Sequence, residues 1–157
     1  IIGKKKFMKN CDKTFISSTF WTERTGSIAA LSTIKYMKQH KTFKLIKKQG
    51  LLIKSMWKKI AIKHKVDIEI ISLDSIPIFI FKKNHNIKKT FLTQEMFRSN
   101  ILASNIIYVS IFHKGKNLNR YFKKLDKIFK KISKLSINQI NEKINKKQSY
   151  SPMSRLN

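Results

Sequence analysis

From about Glu23 to His40 the apolar residues Ile28, Leu31, Ile34 and Met37 recur at helical steps, which predicts an α-helix with one apolar stripe. A second helix is expected from about Phe43 to His64, with Phe43, Ile46, Ile53, Met56, Trp57 and Ile60 on a shared face. Gly50 falls inside it, where glycine costs about 1 kcal/mol relative to alanine, so either a kink or a close helix approach is expected there. After His64 the period drops to two. Val66-Asp67-Ile68-Glu69-Ile70 alternates apolar and charged, as a strand with one wet face does. Ile76 to Phe81 reads as a more apolar strand, with Leu73 to Ser75 as the turn before it. Pro77 has no N–H to give a ladder, so it belongs near the strand's beginning or on an edge.

Lys82 to Lys89 is charged and contains Asn84 and Asn86, which predicts a loop. Thr90 is a candidate N-cap for a helix ending near Ser99 or Asn100. Ile101 to Ala103 and Ile106 to Ile111 read as two more short strands. The closing helix has the clearest pattern: Leu118, Tyr121, Phe122, Leu125, Ile128, Phe129, Ile132 and Leu135 follow three- and four-residue steps, with lysines opposite. Beyond Ser136 the stripe is lost and a disordered tail is expected. At the other end, Ile1 to Gly3 and Thr14 to Phe20 read as short strands joined by a charged turn or short helix. The order of elements predicts an α+β fold, a small antiparallel sheet covered by helices.

The chain has 157 residues, of which 41% are hydrophobic, enough for one ordinary domain with a core. Its formal charge of +27 raises nucleic-acid binding as a function class. All but four of the 35 basic residues are lysine, and they are scattered through every element. Bidentate recognition of bases and phosphates draws on arginine, and abundant Lys, Ile and Asn are also what an AT-rich coding sequence yields. A basic, non-enzymatic nucleic-acid-binding protein therefore stands as the alternative class, with no specific nucleic acid expected. The single cysteine, Cys11, excludes an intrachain disulfide and fits a reducing, cytoplasmic setting. His40, His64, His85 and His113 lie too far apart for local metal-ligand spacing. No stretch approaches the roughly 20 apolar residues of a membrane span.

One stretch breaks the Lys/Ile monotony: Ser17-Ser18-Thr19-Phe20-Trp21-Thr22-Glu23-Arg24-Thr25-Gly26-Ser27-Ile28-Ala29-Ala30-Leu31. Hydroxyl residues there lead from a strand into a helix start, where backbone N–H groups can hold a phosphate; the same residues serve equally as helix caps. The run resembles a segment of class III pyridoxal-phosphate (PLP) aminotransferases, the group that includes glutamate-1-semialdehyde aminomutases. Ile1-Ile2-Gly3-Lys4 with Phe7-Met8 resembles the strand and turn after that family's cofactor-lysine loop. Gln94 to Ser104 resembles its late helix and following strand, and Asn105 to Ser110 the strand after that.

The resemblance implies PLP fold type I, and divides the chain into parts. Residues 1–22 become the last strands of the large cofactor-binding domain, 23–42 the connecting helix, 43–135 the C-terminal small domain, and 136–157 a disordered tail. It implies PLP as cofactor, an amine or amino-acid substrate, and a homodimer. Thr19, with Ser18 beside it, matches the residue that hydrogen-bonds the cofactor phosphate. Trp21, Glu23 and Arg24 either face the substrate or do structural work: Trp21 at a subunit contact, Glu23 paired with Arg24 or in the first turn of the helix. Many members continue with Ser-Gly-Asn-Pro at this point; Trp21 to Gly26 intervenes instead, which suggests an aminomutase-like or sugar-type branch rather than an amine transaminase. Arg98 is either a carboxylate clamp or a solvated helix-end arginine. The family's Schiff-base lysine and the aspartate that pairs with the pyridine nitrogen match no position here. No catalytic residue is expected, and the chain reads as the C-terminal part of a larger enzyme that cannot complete the chemistry alone.

Overall fold

The computed structural model describes residues 4–9 and 23–144. They divide into two compact units, Ile1–His40 and Lys41–Asn157.

The first unit contains α1 (Lys5–Met8) and α2 (Thr25–His40). α1 is the short helix expected between Lys4 and Lys13; the strands expected at Ile1–Gly3 and Thr14–Phe20 lie outside the described residues. α2 forms where the stripe predicted it, and none of its residues is buried.

The second unit begins with α3 (Thr42–Lys63), whose buried face carries Gly50, Ile53, Trp57, Ile60 and Ala61. Phe43, expected on that face, is exposed, because it sits in the first turn beyond the reach of the core. The glycine marks a close approach: a Cβ at Gly50 would lie 1.7 Å from the Asp74 carbonyl oxygen. α3 ends by donating the Val66 N–H to the Ala61 carbonyl and the Lys65 N–H to that of Ile62, with Lys65 left-handed at φ 54°. That is a Schellman ending, and it buries Val66 as the chain turns into the sheet.

The sheet pairs β1 (Ile68–Ile71) with β2 (Ile78–Phe81) in antiparallel register, Ile68 opposite Phe81 and Ile71 opposite Ile78. The connecting loop is tied down by Lys54, whose Nζ donates to the Ser72 carbonyl at 2.7 Å and to Asp74 Oδ1 at 2.9 Å. On its other edge β2 meets residues 105–109, through bonds from Phe79 N–H to Asn105 O, Ile107 N–H to Pro77 O and Val109 N–H to Ser75 O. A strand was expected over Ile106 to Ile111, and only one bridge forms, Ile78 to Ile106. The reason is local: Pro77 has no N–H to return to Ile107, and the Asn105 side-chain amide, not its backbone, donates to Phe79 O at 2.9 Å. Pro77 does stand just before β2, as expected, yet β2 is the central element rather than an edge. Residues 101–103 likewise form no strand.

α4 spans His85–Phe97. The loop expected over Lys82–Lys89 is thus only three residues long before the helix, and Thr90 is not its N-cap but an interior position whose hydroxyl donates to the Asn86 carbonyl. Asn84, left-handed at φ 55°, starts the helix instead, because asparagine tolerates that backbone. α5 (Gly115–Lys134) buries Leu118, Tyr121, Phe122, Leu125, Ile128, Phe129 and Ile132, nearly the whole predicted stripe. Residues 137–142, expected to begin a disordered tail, form α6, fixed by a capping box between Ser136 and Gln139 and by the buried Ile140. The apolar residues Ile137, Ile140 and Ile144 keep helical steps, but over so short a run that the surrounding Asn, Lys and Gln dominate the composition.

The core closes around rings. Phe79 meets Trp57 edge-on at 4.8 Å and Phe129 at 5.8 Å, and Phe81 lies 5.7 Å from Phe129. α5 packs on both α3 and α4, α3 touches β1, and α4 touches β2. The second unit is therefore the α+β arrangement of a small antiparallel sheet covered by helices.

Candidate functional site

Of the candidate residues, Ser18, Thr19 and Trp21 lie outside the described residues, whereas Glu23 and Arg24 stand at the start of α2. The Glu23 carboxylate accepts the Thr25 N–H at 2.8 Å and the Gly26 N–H at 3.3 Å. The Thr25 hydroxyl foremost, and then these two N–H groups, hold its carboxyl below the ordinary carboxylate range. An acidic cap at a helix start is favoured by the free N–H groups and by the helix dipole. Arg24 is exposed, and its carbonyl accepts the Ile28 N–H that opens the helix.

Arg98 belongs to a cluster that the sequence pattern does not reveal. Its Nη1 lies 2.8 Å from Glu95 Oε1, and Lys131 Nζ lies 2.5 Å from Glu95 Oε2. Glu95 is 5% exposed. Burial alone would raise its carboxyl, but the hydrogen bonds and charges of Lys131 and Arg98 outweigh that and hold it below the ordinary range. Arg98 already has a carboxylate partner, so the structure uses it to compensate a buried charge. The only signal for Glu95 was its position among Phe91, Leu92 and Met96 on one helix face.

Two further polar links stitch α3 to α5. Asp126 Oδ1 takes bonds from Lys63 Nζ and faces His64 Nε2, both at 2.9 Å, and Lys63 leads the effects that depress the Asp126 carboxyl. Deeper, the Trp57 indole N–H donates to the Tyr121 hydroxyl at 2.9 Å. Burial pushes the Tyr121 phenol well above its ordinary value. Both links have structural roles; they satisfy polar atoms where two helices meet.

Besides a groove around Glu95, whose carboxylate is held by Arg98 and Lys131, two grooves of the second unit lie between residues 99 and 127 and share Ile101. One, of about 690 Å³, is walled by Ser99 and Ile101 and by the outer face of α5 with Lys116, Arg120, Lys123 and Lys127. The other, of about 430 Å³, is apolar and includes Leu102, Tyr108 and Phe112. Those three side chains are 92%, 70% and 73% exposed, an uncovered hydrophobic patch on a water-facing surface. His113 folds the patch's rim: its Nδ1 accepts the Ser110 N–H at 2.9 Å. Neither groove holds a carboxylate to pair with a pyridine nitrogen, so neither has the donor set that a PLP site needs. Among the described lysines, Lys88 sits over the Phe81 ring, 5.9 Å from its centroid, and burial lowers its ammonium below the ordinary value. It lines neither groove. No helix among the described residues is long and apolar enough to cross a membrane.

No family model matches the chain. It is similar to a 3-aminobutyryl-CoA aminotransferase of Cloacimonas acidaminovorans (strain Evry), with 23% identity over 117 residues, covering 73% of this chain and 28% of that protein. It is also similar to the solved PLP internal aldimine form of the FumI protein of Sphingopyxis sp. MTA144, with a TM-score of 0.75 and 12% identity over 85% of this chain and 33% of that one. The likeness establishes the fold, that of part of a PLP protein. The chain spans about a third or less of the length of these two relatives.

Proposed function

We propose that the chain supplies the connecting helix and C-terminal small domain of a PLP-dependent aminotransferase or aminomutase, acting on an amine or amino-acid substrate. The observation that carries this reading is the fold likeness to a PLP-bound protein over 85% of the chain. The aminotransferase similarity over 117 residues points the same way. When bound, the cofactor supplies an electron sink for charge developing at the substrate's α-carbon.

In this reading Thr19, with Ser18, hydrogen-bonds the cofactor phosphate, because a hydroxyl donates without adding charge. Trp21, Glu23 and Arg24 stand on the substrate side, with Glu23 already fixing the start of α2. The exposed Leu102, Tyr108 and Phe112 cover a neighbouring domain or subunit of a cytoplasmic homodimer. The departure at Trp21 to Gly26 supports an aminomutase-like or sugar-type branch. The described residues carry no step of the reaction, and the imine-forming lysine belongs to polypeptide outside this sequence.

Two measurements test this. The coding sequence adjoining Ile1 is expected to encode a lysine in an Asn-Gly-rich loop within about ten residues, as short connections in α/β folds require. Treating the chain with PLP, reducing with borohydride and mapping peptides is expected to show thin labelling spread over many lysines. A stoichiometric adduct on one lysine would place the reactive amine inside this chain and overturn the proposal.

A further inference from the structure

The basic groove differs from the rest of a generally basic surface. Lys116, Arg120, Lys123 and Lys127 follow steps of four, three and four along α5, so they form one face. The row runs for about 16 Å at the helical rise. Lys124 and Asn119 flank it, and Ser99 and Ile101 form the opposite wall. Arg120 ties the two walls together, its Nη2 donating to the Ser99 carbonyl at 2.8 Å.

In the groove, five cations share one concave space with no counter-charge. Lys54, Lys63, Lys82 and Lys131 each hold a carboxylate. None of the groove's five cations has an ion pair among the described residues, and no acidic residue lines it. Clustered like charges in a concave site raise the local potential and favour an anion entering it. The first turn of α5, at Gly115 and Lys116, opens into the same space without a side-chain cap and adds to that field.

We propose that this groove binds a small ligand carrying two or more linked phosphates. Its volume of about 690 Å³ falls in the range of small-molecule sites, roughly 300 to 1,000 Å³. A row of cations on successive turns matches a chain of phosphates better than a single anion. Single-stranded nucleic acid is the poorer fit, because no aromatic side chain lines the groove to stack a base.

The test is calorimetric titration of the whole chain with inorganic tripolyphosphate and, separately, with single-stranded oligothymidylate. The groove variant combines Lys116→Gln, Lys123→Gln and Lys127→Gln; a control combines Lys44→Gln, Lys48→Gln and Lys59→Gln, exposed lysines of α3 with the same loss of charge. Tripolyphosphate affinity is expected to fall about tenfold in the groove variant and less than about twofold in the control, at the usual worth of exposed charge contacts. Equal weakening in both variants, or no saturable binding by the unmodified chain, overturns the proposal. So does tight oligothymidylate binding that the groove variant abolishes while tripolyphosphate binds weakly, since the occupant would then be nucleic acid. The titration contains no PLP, so its failure leaves the aminotransferase reading untouched.

Discussion

α2 and α5 are both amphipathic helices by pattern, and they meet opposite fates. The α5 stripe is buried, with Leu125, Ile128 and Phe129 at 0% exposure. On α2, Ile28, Leu31 and Ile34 are 60%, 58% and 50% exposed. The α5 stripe includes three aromatic rings, reaches two neighbouring helices and is backed by a lysine-rich face that stays in water. The α2 stripe is narrower and flanked by Ser27, Ala29, Ala30, Ser32 and Thr33, so its polar face is weakly defined. Periodicity identifies a helix; the partner that removes its stripe from water is a separate requirement.

The largest difference should come from truncating one apolar side chain on each helix. Phe129→Ala is expected to cost about 4 kcal/mol, in the range for buried aromatic truncation, measured by denaturant unfolding. Leu31→Ala should fall within about 0.5 kcal/mol, as exposed substitutions do. A Leu31→Ala cost comparable to that of Phe129→Ala would mean that the α2 face is covered in solution, and the contrast would vanish.

A second pair of variants uses glycine. Gly50→Ala drives a methyl into the Asp74 carbonyl, 1.7 Å away, and should destabilise by about 3 kcal/mol because backbone must move. At Gly26 the nearest atom to an added Cβ is Glu23 Oε2, 3.8 Å away, an ordinary contact. Gly26→Ala is therefore expected to raise stability of α2 by up to about 1 kcal/mol, read as increased helicity.

The smallest effects are in pH dependence. The Glu95 carboxyl is depressed in the folded state, so its stabilisation is complete above the ordinary value of 4.5 and is lost as pH falls through the lower folded value. Glu95→Gln should cost about 2 kcal/mol near neutrality, the worth of its charged hydrogen bonds, and the gap to the unmodified chain should close in acid. Glu23 is depressed in the same direction, but it is fully exposed. Glu23→Gln should lower only α2 helicity, seen by circular dichroism above the carboxylate range. If the Glu95→Gln gap persists in acid, the ion pairs with Arg98 and Lys131 are not its source.

The fold was legible where a period was long or a hydrogen-bond donor was missing. α3 and α5 were readable from their stripes, the β1–β2 pair from alternation followed by an apolar run, and Gly50 from its cost inside a helix. The start of α4 was not, because a left-handed asparagine at Asn84 begins it and no hydroxyl cap announces it. Ile106 to Ile111 looked like a strand and gave only a partial ladder over 105–109, because Pro77 and the Asn105 side chain interrupt it. The candidate site was legible only as a resemblance: Glu23 proved to cap α2, and Ser18, Thr19 and Trp21 fall outside the described residues. Glu95 escaped notice because a charged residue on an apolar helix face is interpretable only once its two cations, 3 and 36 positions away, are seen to converge.

The sequence by itself determined that α2, α3 and α5 are helices, that β1 and β2 are extended, and which of their faces are apolar, because those follow from long local periods. Tertiary structure alone decided which stripes are covered, which carboxylate is buried between cations, and which row of cations faces a second wall to make a groove. The reason is that burial and electrostatic pairing depend on atoms brought together from distant parts of the chain, and no local pattern records that convergence.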